Sequence, residues 1–257
     1  MKFATLLSVS LLASAAAFAE TSATTANVVG VLRVDSSAKR TIVAVPWVAA
    51  GVDAGNIKVT DIVKTSNLTA GDTLSYYKGD GTFDTWELVA GTGGAAPAWA
   101  TVNQVSKSGE TGTSEDPAVQ TLPRGGALIL VRQDATKPFY LQGQYSSATM
   151  ENQTLANGGS KAAPVYSLIA PPAVQNVDVN TATWANVGAN DQLVIQGVDG
   201  LSTTCVWKEN QWQTYSWVEQ DGLKVLQYSK TVPSIPAGTG FWFVSQTSGE
   251  TQPTVRW

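Results

Sequence analysis

Short runs rich in β-branched and aromatic residues alternate with Gly, Pro, Asn and Asp along this chain. In the first half they fall at Val28–Val34, Thr41–Trp47, Thr73–Lys78, Thr82–Val89, Ala127–Gln133 and Phe139–Gln144. In the second half they fall at Val165–Ala170, Gln192–Val198, Thr204–Lys208, Trp212–Val218, Lys224–Tyr228 and Gly240–Gln246. Runs of this length, bounded by turn formers, predict strands of sandwiches or barrels. After the Gly79-Asp80-Gly81 turn, alternation sends Phe83, Thr85 and Glu87 to one face and Asp84, Trp86 and Leu88 to the other. Two runs do not alternate: Ala127–Val131 and Phe241–Val244 are apolar throughout, which predicts central strands buried on both sides. Helical spacing is confined to Val59, Ile62 and Val63, one short turn, with Trp184–Val187 as its expected counterpart.

The same words recur in the same order about a hundred residues apart. Tyr77-Lys78 through Trp86 is echoed by Trp207-Lys208 through Tyr215, and Leu122-Pro123-Arg124-Gly125 through Gln133 by Ile235-Pro236-Ala237-Gly238 through Gln246. The expected fold is therefore all-β, with two tandem, internally duplicated β-sandwich or barrel-like domains. They are placed at residues 28–146 and 164–257, joined by a Gly/Ser-containing linker over 147–163. Ala90–Pro97 and Ser106–Pro117 read as surface loops that the second copy lacks, and such insertions often carry binding.

The ends of the chain add a location. Lys2, the apolar stretch Leu6–Ala17 and the small-x-small Ala17-Phe18-Ala19 form a signal peptide over residues 1–19, followed by a disordered leader over 20–27. A secreted protein at the cell surface or outside is expected, with the periplasm as the alternative. No later stretch reaches the ~18 consecutive apolar residues of a membrane helix. Charged residues make up only 14% of the chain and the formal net charge is −4, with no basic stripe, so a nucleic-acid partner is not expected. No Gly-rich phosphate loop follows a strand, which removes nucleotides as well.

Histidine is absent, and Cys205 is the single cysteine. Ser-His-Asp and Cys-His nucleophiles, His-ligated metals and thiolate metal sites are thereby excluded, and no cofactor is expected. Cys205 on its strand reads as a buried thiol. Carboxylates remain: a glycosidase needs two flanking a cleft, but Asp84 and Glu87 point to opposite faces beside Asp80. A calcium site from Asp80 and Asp84 lacks the spacing of a dedicated loop, so no metal is assigned. The protein is expected not to be an enzyme.

The nine tryptophans supply the remaining chemistry. An exposed row of Trp86, Trp99, Trp207, Trp212 and Trp217 could stack on apolar sugar faces, with Trp86, Trp99 and Trp217 as the candidate ligand-binding residues. The competing reading puts these rings in the cores, which alternation favours for Trp86 and Trp242. Trp257 at the end of the chain, after Val255, is also how outer-membrane barrels end, but Pro253 and the short strands argue against a barrel.

The aromatic-Lys hairpin, the aromatic-x-Thr-aromatic strand (Phe83–Trp86, Trp212–Tyr215) and the Pro-x-Gly turn before an apolar strand resemble a group of uncharacterised secreted Gram-negative bacterial proteins. Those proteins are built from duplicated β-domains, and the likeness covers residues 41–145 and 165–257. The resemblance implies the duplicated architecture and carries no site residues. Two functions follow as expectations: a non-enzymatic surface, structural or adhesion protein that self-associates by strand pairing, or a carbohydrate-binding module using exposed tryptophans.

Overall fold

The computed structural model describes residues 27–45, 57–105, 111–146, 152–171, 175–247, 249 and 251–257, without the side chains of 27–29, 103–105, 111–113 and 143–146. The expected signal peptide, the leader as far as Ala26 and the Pro46-Trp47 end of the second run lie outside these residues. No helix among the described residues is long and apolar enough to cross a membrane.

The first unit runs through β1 (Asn27–Val34), β2 (Arg40–Ala44), β3 (Ile57–Lys58), the single helical turn α1 (Val59–Ile62), β4 (Val63–Lys64), β5 (Thr73–Tyr77) and β6 (Phe83–Val89). It continues with β7 (Ala98–Thr101), β8 (Asn103–Val105), β9 (Thr111–Thr113), β10 (Thr121–Leu122), β11 (Ala127–Val131) and β12 (Phe139–Ser146). The second unit has β13 (Gln153–Thr154), β14 (Val165–Ile169), a 3-10 turn at Val179–Thr181, β15 (Thr183–Ala185) and β16 (Gln192–Gln196). Then come β17 (Ser202–Lys208), β18 (Gln211–Gln220), β19 (Leu223–Ser229), β20 (Phe241–Ser245) and β21 (Thr254–Arg256). Every run expected to form a strand does so. The strands the pattern missed are short, because two- to four-residue pairings carry too little alternation to read.

The fold is all-β, with several antiparallel sheets. The main sheet of the first unit has the order β2-β11-β5-β6-β7, and that of the second β14-β20-β16-β17-β18-β19. A three-stranded sheet closes one face of each, β1-β12-β4 and β13-β21-β15. Between them lie the two cores. One packs Leu74, Trp86, Leu128 and Leu130 against Phe139 and Leu141; the other packs Leu193, Cys205, Trp212, Phe241 and Phe243 against Val255. The two non-alternating runs are central strands in both sheets, as expected, and their second faces meet each other. Ile42, Ala44, Ala127 and Ile129 pack on Leu168, Ala170 and Trp242 in a third core that joins the units back to back.

Ladder register matches between the units. Leu130 stands opposite Leu74, and Leu74 opposite Trp86; likewise Phe243 stands opposite Leu193, and Leu193 opposite Cys205. The hydrogen bonds around two buried carboxylates match as well. Asp72 accepts from the Thr69 N–H at 2.9 Å and the Gln133 N–H at 2.7 Å, while Asp191 accepts from the Gly188 and Gln246 N–H groups, both at 2.8 Å. Each carboxylate thereby ties the entry to one strand to the exit of its neighbour, and each is 1% exposed. Such buried acceptors are stable only because their partners are fixed backbone donors.

This register corrects two expectations. The turn equivalent to Gly79-Asp80-Gly81 is Val198-Asp199-Gly200, one hairpin before Glu209-Asn210. The Thr82 N–H donates to Asp80 at 2.9 Å and the Leu201 N–H to Asp199 at 3.0 Å, and Gly81 and Gly200 have φ of +91° and +85°. Aromatic residues do not mark the equivalent hairpin, because cross-strand aromatic pairs occur wherever two strands share a buried face. Similarly, the counterpart of α1 is the 3-10 turn at Val179–Thr181, whereas Trp184 lies in β15. The Pro-x-Gly block keeps its expected pairing: Gly126 donates to Pro123 O and Thr239 to Pro236 O, both at 3.0 Å.

The units also grip each other reciprocally. Ala44 N donates to Gly238 O at 2.9 Å, and Ala170 N to Gly125 O at 2.8 Å. These are corresponding groups, so the contact has the form of an isologous two-fold interface within one chain. Gly240 sits in this seam, where a Cβ would lie 2.6 Å from Ile169 O. The expected linker over 147–163 is only partly a linker: Gln153–Thr154 pairs with β21 and Leu155 is buried in the second core. A polar, Gly-containing stretch concealed that strand because both of its residues are polar.

Candidate functional site

Of the expected row of tryptophans, only Trp217 is a surface residue, 66% exposed. Trp86 and Trp212 are fully buried, and Trp99 is 7% exposed. Trp86 shares the inner face of β6 with Leu88, and its Nε1 donates to Glu115 O at 2.7 Å. Trp99 stands opposite Leu88 in the same core, as Trp212 stands opposite Trp207. Both Trp99 and Trp212 bury an indole N–H without a hydrogen-bond partner. The expected exposure of Trp86 and Trp99 is therefore corrected: the core buries both rings, and Trp99 only borders a cleft of about 590 Å³ beside Pro97, Asp116 and Pro117.

The other candidates have structural employment. The Asp80 carboxylate accepts from both the backbone and the hydroxyl of Thr82, which holds it below the usual carboxylate range. Asp84 is buried 3.7 Å from Lys78 Nζ, and Glu87 is exposed on the opposite face of β6. Burial and the Asp84 charge push the Tyr76 phenol up. Cys205 is buried and its thiol is pushed up to about 12 by desolvation, the reverse of a reactive thiolate. In the loop expected over 106–117, β9 intervenes, and Ser114 and Glu115 brace β6 through Thr85 N (2.8 Å) and Trp86 Nε1 (2.7 Å). Among the described residues no group of His, Cys, Asp or Glu could hold a metal. Trp257 packs edge-on against Trp184 and Phe241 and donates from Nε1 to Gln153, closing the second core.

What the structure exposes is the hairpin of β18 and β19. Two tight turns build it. Glu209 and Asn210 have φ of +53° and +58°, and Asp221 and Gly222 +52° and +75°. Both are two-residue loops with the positive φ that matches the twist of a hairpin. β18 pairs with β17 only as far as Thr214 opposite Cys205, whereas its pairing with β19 continues to Gln220 opposite Leu223. From Tyr215 onward the hairpin is thus a two-stranded ribbon with both edges open.

Both faces of that ribbon carry apolar residues. One face has Tyr215, Trp217, Leu226 and Tyr228; the other has Val218, Val225 and Leu223. Leu223 is 69% exposed, close to the value for Trp217. The rings of Tyr215 and Tyr228 are 6.5 Å apart but tilted by 55°, and Lys208 Nζ lies 3.6 Å from the Tyr228 ring centre. A cleft of about 440 Å³ opens beneath them, lined by Trp207, Tyr215, Leu226 and Tyr228 among others. A larger cleft, about 710 Å³, lies at the seam between the units against Tyr76, Tyr77, Lys78 and Tyr166.

Sequence reading found Trp217 but missed the ribbon around it. A signal was present: Gln220-Asp221-Gly222-Leu223 is a tight-hairpin sequence, and the strands beside it carry apolar residues in both phases of the alternation. A strand with no polar face is either central or awaiting cover. No family model, curated protein or solved structure matches the chain.

Proposed function

We propose that this is an exported, non-enzymatic surface protein, structural or adhesive, that acts by associating with protein through the β18–β19 ribbon. The observation behind this reading is the ribbon itself, with exposed apolar residues on both faces and no strand paired to either edge. A two-stranded ribbon is marginally stable alone, and exposed apolar patches mark interaction sites. The recurring bonds of the two units support reading the chain as two copies of one scaffold, with the ribbon as the specialised part. The test is a Trp217→Ser, Leu223→Ser double variant of the mature chain. It should keep its melting temperature and lose association measured by light scattering; association that survives unchanged removes the ribbon as its cause.

A second reading, glycan binding, is favoured by the exposure of Trp217. Against it, the neighbouring rings are tilted and one face of Tyr228 is occupied by Lys208. A glycan array with wild type and Trp217→Ala decides: binding that depends on Trp217 favours the glycan, and no binding leaves the protein partner.

A further inference from the structure

We infer that the ribbon's partner is a second copy of this chain, joined antiparallel along the open edge of β19 with Leu226 at the two-fold axis. This rests on the ribbon reading above and adds the partner and its register. Residues flanking a two-residue hairpin loop exchange both backbone hydrogen bonds, so Leu223 directs its N–H and C=O toward Gln220 of β18. Direction then alternates: Val225 and Gln227 also face β18, while Lys224, Leu226 and Tyr228 face the open edge. Three residues with unpaired donors and acceptors therefore alternate along this edge.

Only some self-pairings suit them. Centring on Lys224 sets two ammonium groups against each other, which is unfavourable. Centring on Tyr228 leaves Leu226 opposite Lys230. Centring on Leu226 places each Lys224 opposite the other copy's Tyr228, and each of the three outward residues exchanges both hydrogen bonds. The side chains agree with that register. Lys224, Leu226 and Tyr228 share one face with Trp217 and Tyr215, so the two leucines meet between the two tryptophans. Each Lys224 reaches a tyrosine ring as Lys208 already does within the chain.

Lys224 and the chain around it also carry the charge pattern the pairing needs. It is the one charged residue in Leu223–Ser229, and Glu219 stands across from it in the same chain. β19 has no proline and no bulge, and its one edge-guarding charge, Lys224, is met in this register by a tyrosine ring of the other copy instead of a second lysine. At the other end of the same sheet, β14 is capped by the first unit through the bond from Ala170 to Gly125. The two six-stranded sheets would join into one continuous sheet, a β-augmentation between identical edges.

The test uses the full mature chain. Leu226→Cys places two thiols at the axis, where paired Cα atoms about 5.5 Å apart permit a disulfide. Mild oxidation should give a covalent dimer, at least tenfold faster than Gln227→Cys, whose Cα atoms lie beyond disulfide reach in this register. Cys205 is buried and does not compete. Leu226→Pro removes an outward N–H that β18 does not use, so it should keep the fold and weaken the dimer tenfold or more in sedimentation. Association that depends on Trp217 and Leu223 but gives no Leu226→Cys disulfide overturns the edge pairing and leaves the ribbon reading standing. Equal cross-linking at 226 and 227 overturns the register. A wild-type chain that stays monomeric at every concentration overturns the second copy as partner.

Discussion

The two units place a ribbon at the same point of their main sheets and finish it differently. In the first, the chain continues from β7, which pairs with β6, into β8, which pairs with β9, with Gln104 opposite Gly112; in the second, β18 runs past β17 and pairs with β19, with Trp217 opposite Leu226. Thr101 and Thr214 hold matching positions across from Trp86 and Cys205, which fixes the correspondence. The first ribbon is written in Asn, Gln, Thr and Gly apart from Val105, whereas the second sets Tyr, Trp, Val and Leu among its Ser, Gln, Glu and Lys. One architecture thus carries a polar ending and an apolar one. The bonds that build the scaffold are held in common, while the difference falls where the scaffold does not constrain side chains.

That contrast can be broken from the inside outward. Trp86→Ala and Trp212→Ala should each cost about 3–5 kcal/mol, as expected for emptied aromatic core positions. Denaturant titration measures both, and a near-neutral Trp86 variant would restore it as a surface residue. Asp72→Ala and Asp191→Ala should come next, at about 2–3 kcal/mol each, because each strands backbone donors inside the protein. The informative result is the comparison: unequal losses would mean that the matching hydrogen bonds do not do matching work. Gly240→Val should cost about 1–3 kcal/mol by forcing a side chain against the Ile169 carbonyl and, across the seam, against Ala127 and Ile42. A calorimetric trace that splits into two transitions would locate that damage in the third core.

Trp217→Ser should change stability by no more than about 0.5 kcal/mol, the size expected of an exposed substitution. A larger loss would mean that the ribbon is part of the second core. The smallest effect at neutral pH comes from ionisation of Cys205. Its thiol is raised from 9.0 to about 12 by burial, so its contribution to stability is full below 9.0 and is lost as pH rises toward 12. Wild type should therefore lose more stability than Cys205→Ala across that window, on top of a pH-independent offset from the smaller core side chain. A thiol reagent that labels native Cys205 at its unfolded rate would contradict the burial.

Particular residues explain how much was legible. Ala127–Val131 and Phe241–Val244 announced central strands because a run without polar positions must be covered on both sides, and each is covered by its own small sheet and by the other unit. Val59 and Ile62 announced the helical turn by their spacing, and both are buried. Asp72 and Asp191 stayed silent: a lone Asp beside a strand looks like a turn residue, and its partners, Gln133 and Gln246, are far away in sequence. The candidate site divides in the same way. Trp217 was identified, but Leu223, Val225 and Leu226 drew no notice because an apolar residue in a strand is ordinarily core.

By itself the sequence determined the alternation, the turn positions, the two doubly buried strands and the loss of histidine and thiolate chemistry. Each of these is a local property: the pleat has a period of two, tight turns need residues that tolerate positive φ, and a missing side chain cannot act. Only the tertiary structure decided which hairpins correspond, that the units share a third core, and that Trp217 is open while Trp86 and Trp99 are closed. Alternation sorts side chains into two faces but does not say which face a neighbouring sheet will cover. That depends on where neighbouring strands end, and the β17–β18 pairing stops at Thr214, three residues before the exposed Trp217.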